Sequence, residues 1–201
     1  MRKVLFISVL VALFGAVSAC WQKSGDLKET ALELCQYIPD HGIAEGSEEH
    51  MTKSFYEAVS AAFDAPDGAY GEIGDSEWLF YFLTGNDPGT PIFEVQSVTM
   101  HGKEQADAII SVQEKWEYDG ETQYSDETNY YTISIAREDG RWKLDDFDNK
   151  KQECLDYVAE MRKKYANGEI LNYLRENEYS REFIPDFLAA VQEFYQKHGK
   201  E

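Results

Sequence analysis

The sequence predicts an α+β fold, with helices ahead of a four-stranded antiparallel meander and a further helical tail behind it. Three observations carry this. Apolar residues recur at helical spacing between residues 27 and 65 and again between 150 and 198. Between 92 and 147 the period changes to two. The connections inside that stretch are short and include Asp119-Gly120 and Asp139-Gly140, which are hairpin signals.

Residues 1–19 read as an export signal. Arg2 and Lys3 form a positive start, residues 4–14 an apolar run, and Gly15 to Ala19 a small-residue exit. The run is shorter than the ~20 apolar residues a spanning helix needs. Residues 20–26 form a short polar tether. A helix is expected over 27–37, with Leu27, Ala31, Leu34 and Ile38 on one face. Residues 39–46 break it. Ser47 is expected to cap the next helix, with Glu48 and Glu49 in a first turn that favours negative charge. Met51, Phe55, Ala58, Val59, Ala62 and Phe63 form its stripe, and Ala65-Pro66-Asp67-Gly68 ends it.

Residues 66–91 are rich in Gly, Asp and Pro around one apolar patch, Trp78 to Leu83. Strands are expected at 92–100, 105–118, 128–137 and 141–147, a meander. A helix follows at 150–166, with Cys154, Val158, Met161 and Tyr165 inward and Asn167-Gly168 as its C-cap signal. Residues 169–177 suggest another. A last helix starts near Pro185 and should bury Phe187, Leu188, Val191, Phe194 and Tyr195. Residues 27–148 thus form the main domain, and 149–201 an extension packed on it.

Val17-Ser18-Ala19 fits ordinary signal peptidase, and the same residues before Cys20 resemble the lipobox of bacterial lipoproteins. In that family the cysteine is acylated, with palmitate among the usual chains, and anchors the protein. The chain has three cysteines, Cys20, Cys35 and Cys154. Plain cleavage leaves an odd count in an oxidising compartment. Lipidation of Cys20 leaves Cys35 and Cys154 to form a disulfide; the other reading of those two is a pair of buried free thiols. The expected location is the bacterial cell envelope, lipid-anchored and facing the periplasm, since residues 21–26 lack the run of acids that resembles a surface-export signal.

The formal net charge is −19, and loss of residues 1–19 removes two basic and no acidic residues, leaving −21. That excludes a nucleic-acid partner, which needs a basic footprint, and a polybasic lipid-binding face. It permits a basic protein partner, or reflects solubility alone. The 28 aromatic residues separate this chain from disordered acidic ones.

Two helices, an aromatic-rich crossing and a meander closing on Gly140-Arg141-Trp142-Lys143-Leu144 resemble the nuclear-transport-factor-2-like (cystatin-like) superfamily over about residues 45–148. The resemblance implies a curved sheet wrapping helices into a cone. Within that superfamily the chain looks most like exported bacterial lipoproteins. The helical tail at 150–198 is absent from the minimal cone. Members include isomerases, dehydratases, binding subunits and toxin-immunity proteins, so the fold does not name an activity.

Glu114 is the one candidate catalytic residue. It shares a strand face with Ala106, Ala108, Ile110, Val112, Trp116 and Tyr118, where a carboxylate is costly unless paired or protonated. It either lines a ligand pocket with Trp78, Trp116 and Tyr131 as walls, or lies at a solvated rim, or is satisfied by a Lys or Tyr partner. Asp145, Asp146 and Asp148 are hard oxygen donors, but their spacing is no known calcium loop, and Asp67 to Asp75 reads the same way. His41, His50, His101 and His198 have no zinc spacing, and no nucleophile elbow or phosphate-binding loop is present. No cofactor or metal is expected. The expected function is a lipid-anchored binding or accessory module without catalysis. The alternatives are an acidic inhibitor or immunity protein for a basic exported toxin or hydrolase, and a small-molecule isomerase or dehydratase using Glu114 as general base.

Overall fold

A computed structural model describes residues 26–39, 43–67, 90–178 and 181–199. The elements are α1 (26–35), α2 (Ser47–His50), α3 (Lys53–Asp64), β1 (Thr90–Met100), β2 (Gln105–Tyr118), β3 (Glu121–Tyr124), β4 (Asn129–Glu138), β5 (Arg141–Phe147), α4 (Lys150–Asn167), α5 (Glu169–Glu176), a 3-10 turn (Arg181–Phe183) and α6 (Ile184–His198). The expected α+β class holds, with one sheet among the described residues, its named strands all antiparallel, in the order β1-β2-β4-β5.

The sheet has five strands rather than four. The Asp119-Gly120 turn returns the chain as β3, which pairs with the far end of β2, Lys115 facing Tyr124 and Tyr118 facing Glu121. All four β3 residues are exposed, so no alternation marked the strand. Asp119 and Asp139 both take positive φ ahead of their glycines, the two-residue turn that matches strand twist.

One sheet face carries the core. Ala106, Ala108, Ile110 and Val112 of β2, Ile133 and Ile135 of β4, and Leu144 and Phe147 of β5 are buried there. They form one cluster with Phe55, Ala58, Val59 and Ala62 of α3, Cys154, Val158 and Met161 of α4, and Leu27, Ala31, Leu34 and Cys35 of α1. The opposite face is mixed: Ile92, Ile109 and Tyr130 are exposed on it, Gln96 Nε2 donates to the buried Ser111 Oγ at 2.8 Å, and Ser134 Oγ donates to Asp107 at 2.8 Å.

Two bulges shape the strands. Gln96 is the extra residue of β1, and Lys28 of α1 donates to its carbonyl at 2.7 Å. That cation also sits on an edge strand, which discourages edge-to-edge pairing. Asp145 is the extra residue of β5; its carboxylate accepts from Thr52 Oγ1 at 2.6 Å and from Lys151 Nζ at 2.9 Å.

The helix expected to run on from Ser47 is broken in two. Gly46, at φ 82°, takes the N-cap position, and Ser47 is a buried first residue. Met51 bridges to Leu144 and Thr52 N donates to Leu144 O at 2.8 Å, so this dipeptide extends the sheet edge. Thr52 Oγ1 then accepts from Phe55 N and caps α3. Glu138 accepts from Lys53 N, also at the start of α3, and pairs with the buried Lys143 at 3.0 Å.

Behind the sheet, α4 packs on α3 and β5. Gly168, in the left-handed region, closes α4 as the sequence indicated. Tyr165 joins the tail to the body: its hydroxyl donates to Pro66 O at 2.7 Å, and its ring meets Phe187, Phe194 and Tyr195 edge-on. Leu188, expected on the buried face of α6, is instead 49% exposed. The inward stripe runs Phe187, Val191, Phe194, Tyr195, and Leu188 lies outside it.

The expected Cys35–Cys154 disulfide is not formed; both are free thiols inside the core. Cys35 Sγ donates to Ala31 O within its own helix at 3.2 Å. Burial pushes both thiols up to about 12, with Glu153 adding to the rise at Cys154, which favours the neutral form of each. The alternative reading of buried free thiols is the one the structure holds.

Candidate functional site

The sequence-predicted residues meet only in part. Along β2 the core face grades outward: Ala106 to Val112 are buried, whereas Glu114 and Trp116 are half-buried. Glu114 therefore stands at the margin of the core. The loop after β3 clamps its backbone, with Ser125 N donating to Glu114 O at 2.9 Å and Glu114 N to Ser125 Oγ at 3.0 Å. Trp116 turns to β3, where its Nε1 donates to Gln123 at 3.0 Å. Tyr131 is half-buried against Phe147, ring centroids 5.1 Å apart. Burial, then the nearby Asp148 and Glu114 carboxylates, hold its phenol above the ordinary tyrosine value. Glu114, Tyr131 and Asp148 thus form a small acidic corner around a neutral hydroxyl. Trp78 and Cys20 lie outside the described residues, as do His41 and most of Asp67 to Asp75.

The carboxylates after β5 are committed to structure. Asp146 accepts from Phe147 N and Lys151 N at 2.8 Å each, tying down the start of α4. Burial pushes its carboxyl up against the pull of those bonds. Asp145 holds Thr52 and Lys151. Among the described residues no group of three or more His, Cys, Asp or Glu is placed for a metal ion. The remaining histidines have structural partners: His50 stacks on Tyr37, His101 meets Asp107 at 2.7 Å, and His198 meets Asp64 at 2.6 Å.

A second location was not foreseen. Between α3, α4 and the end of α6 lies a groove of about 610 Å³. Its floor is apolar, from Ala58 and Ala61 of α3 and Leu155, Val158 and Ala159 of α4. Its rim carries Lys151, Arg162, Lys197 and His198, with Glu57 its one carboxylate. Lys197 and His198 both meet Asp64. Burial pushes the Asp64 carboxyl up, but the hydrogen bonds from Lys197 and His198 prevail and hold it below the usual range. Arg162 donates from Nη2 to His198 O at 2.9 Å and lies 5.6 Å over the Phe194 ring. Its Nε is buried without a hydrogen-bond partner. A signal for this groove was present. Lys151, Leu155, Val158 and Arg162 fall at i, i+4, i+7 and i+11, one helix face with a cation at each end. Neither this groove nor a smaller one along α6 is lined by Glu114, Trp116 or Tyr131.

Among the described residues no helix is long and apolar enough to cross a membrane. Compared with known proteins, the chain matches no family model, no curated protein and no solved structure.

Proposed function

We propose that this chain is a lipid-anchored protein of the bacterial cell envelope whose folded part is a non-catalytic binding module, a cone of the nuclear-transport-factor-2-like kind with an added helical tail. The observation that carries the binding half is the groove, whose apolar floor and charged rim have the make-up of a small-molecule site. The two bulges are consistent with a curved sheet. The anchor rests on the signal-like residues 1–19 and on Cys20. With Cys35 and Cys154 free, counting cysteines no longer favours the anchor.

Two measurements test the reading separately. Radiolabelled palmitate should enter the chain and be lost in Cys20→Ser, along with membrane association; an unmodified Cys20 at the mature start refutes the anchor. Native mass spectrometry of the chain isolated from its cells should find a bound small molecule that Ala159→Trp, which fills the groove, removes. An adduct that survives Ala159→Trp, or no adduct, refutes the binding half. The net charge of −21 favours a second reading, an acidic inhibitor of a basic exported protein. That reading requires an envelope partner captured at low salt and released at high salt.

A further inference from the structure

We propose that the groove between α3, α4 and α6 takes a small organic monocarboxylate with an apolar tail, and that Arg162 receives the carboxylate. This deepens the binding half of the reading above and is independent of the anchor. The volume of about 610 Å³ lies in the ~300–1,000 Å³ range of small-molecule sites. The tail is indicated by Leu155, which is 47% exposed between the half-buried Lys151 and Arg162 and one turn from the buried Val158. Water-exposed leucine surface beside small alanine side chains is surface an aliphatic chain would cover.

The charge of the ligand follows from which cations are already satisfied. Lys151 is paired with Asp145, and Lys197 with Asp64. These pairs hold α4 to β5 and α6 to α3. Arg162 differs: among the described residues it has no carboxylate partner, only the His198 carbonyl and the Phe194 ring. A half-buried guanidinium with a buried, unsatisfied Nε is under-compensated. Glu57 lines the same groove, and Asp64 and Asp145 are bound to Lys197 and Lys151, but none of these carboxylates pairs with Arg162. The planar guanidinium suits a carboxylate. A phosphate fits the same fork, but Lys151 and Lys197 are already paired and leave its second negative charge without a counter-charge. It would also meet the carboxylates of Asp64 and Asp145 behind Lys197 and Lys151.

The test titrates the full chain with octanoate, octan-1-ol, octylammonium and inorganic phosphate, followed by calorimetry and by NMR shifts in α4. Octanoate should bind at least about tenfold more tightly than the other three. Arg162→Gln should lose that preference while octanol binding stays. Because Arg162 also holds His198, Ala159→Trp serves as the second variant; it leaves the arginine in place and should abolish octanoate binding. Equal binding of octanoate and octanol, tighter binding of phosphate, no saturable octanoate binding, or full octanoate affinity in Ala159→Trp each overturn the proposal. A native adduct that is removed by Ala159→Trp but is not an acid would overturn it too, while the binding-module reading would stand.

Discussion

The sheet face and the helical groove use similar side chains and differ in how completely they are covered. On the sheet, Ile110, Ile133, Leu144 and Phe147 have essentially no contact with water. In the groove, Val158 is buried but Leu155, one turn away, is half exposed, and the rim is charged. The first region holds the fold together, and its residues cannot change without loss of packing. In the second, Leu155 is left uncovered, so trimming that side chain removes little packing.

The sharpest way to break this contrast is a pair of truncations. Phe147→Ala should cost about 3–5 kcal/mol, as expected for a large buried ring, whereas Leu155→Ala should stay within about 0.5 kcal/mol. Urea denaturation of both reads the difference, and equal costs would erase the distinction. Next in size is Asp145→Ala, which strips Thr52 and Lys151 of their shared acceptor and should cost about 1–3 kcal/mol. Smaller still is the Asp64 clasp on α6. Its carboxyl is held below the ordinary value by Lys197 and His198, so its contribution is present above about pH 4. It is lost as pH falls through the depressed value. The site is partly exposed, so the effect should be under about 1 kcal/mol. Protection against amide exchange, taken relative to the intrinsic rate at each pH, should fall in residues 184–198 below pH 4 before it falls in β2, and synchronous loss would mean that α6 is no separate unit. The smallest effect is expected in the acidic corner. Glu114→Gln removes one of two carboxylates that raise the Tyr131 phenol, which should then titrate lower by ultraviolet absorbance.

Local pattern and turn chemistry made the meander legible. Alternation in β2 and β4 and the two Asp-Gly turns are properties of adjacent residues. The split after His50 was not legible, because Met51 and Thr52 leave the helix to pair with Leu144, more than ninety residues away. β3 was missed because a short exposed strand has no buried face to impose a period. Of the expected pocket, Glu114 and Tyr131 do approach each other, since both lie on the inward-facing side of paired strands. The groove was missed because its rim comes from α4 and α6 and its floor from α3 and α4. Only the α4 face was visible from spacing.

The two sealed thiols make the chain a counter of its own processing. In the native state Cys35 and Cys154 are buried and held neutral, so an alkylating reagent should leave both untouched. Once the chain is unfolded, both must react. A denatured, unreduced sample therefore yields two adducts if Cys20 carries an acyl-bearing thioether and three if it does not, and the gain on unfolding gives the amount of intact fold in the same tube.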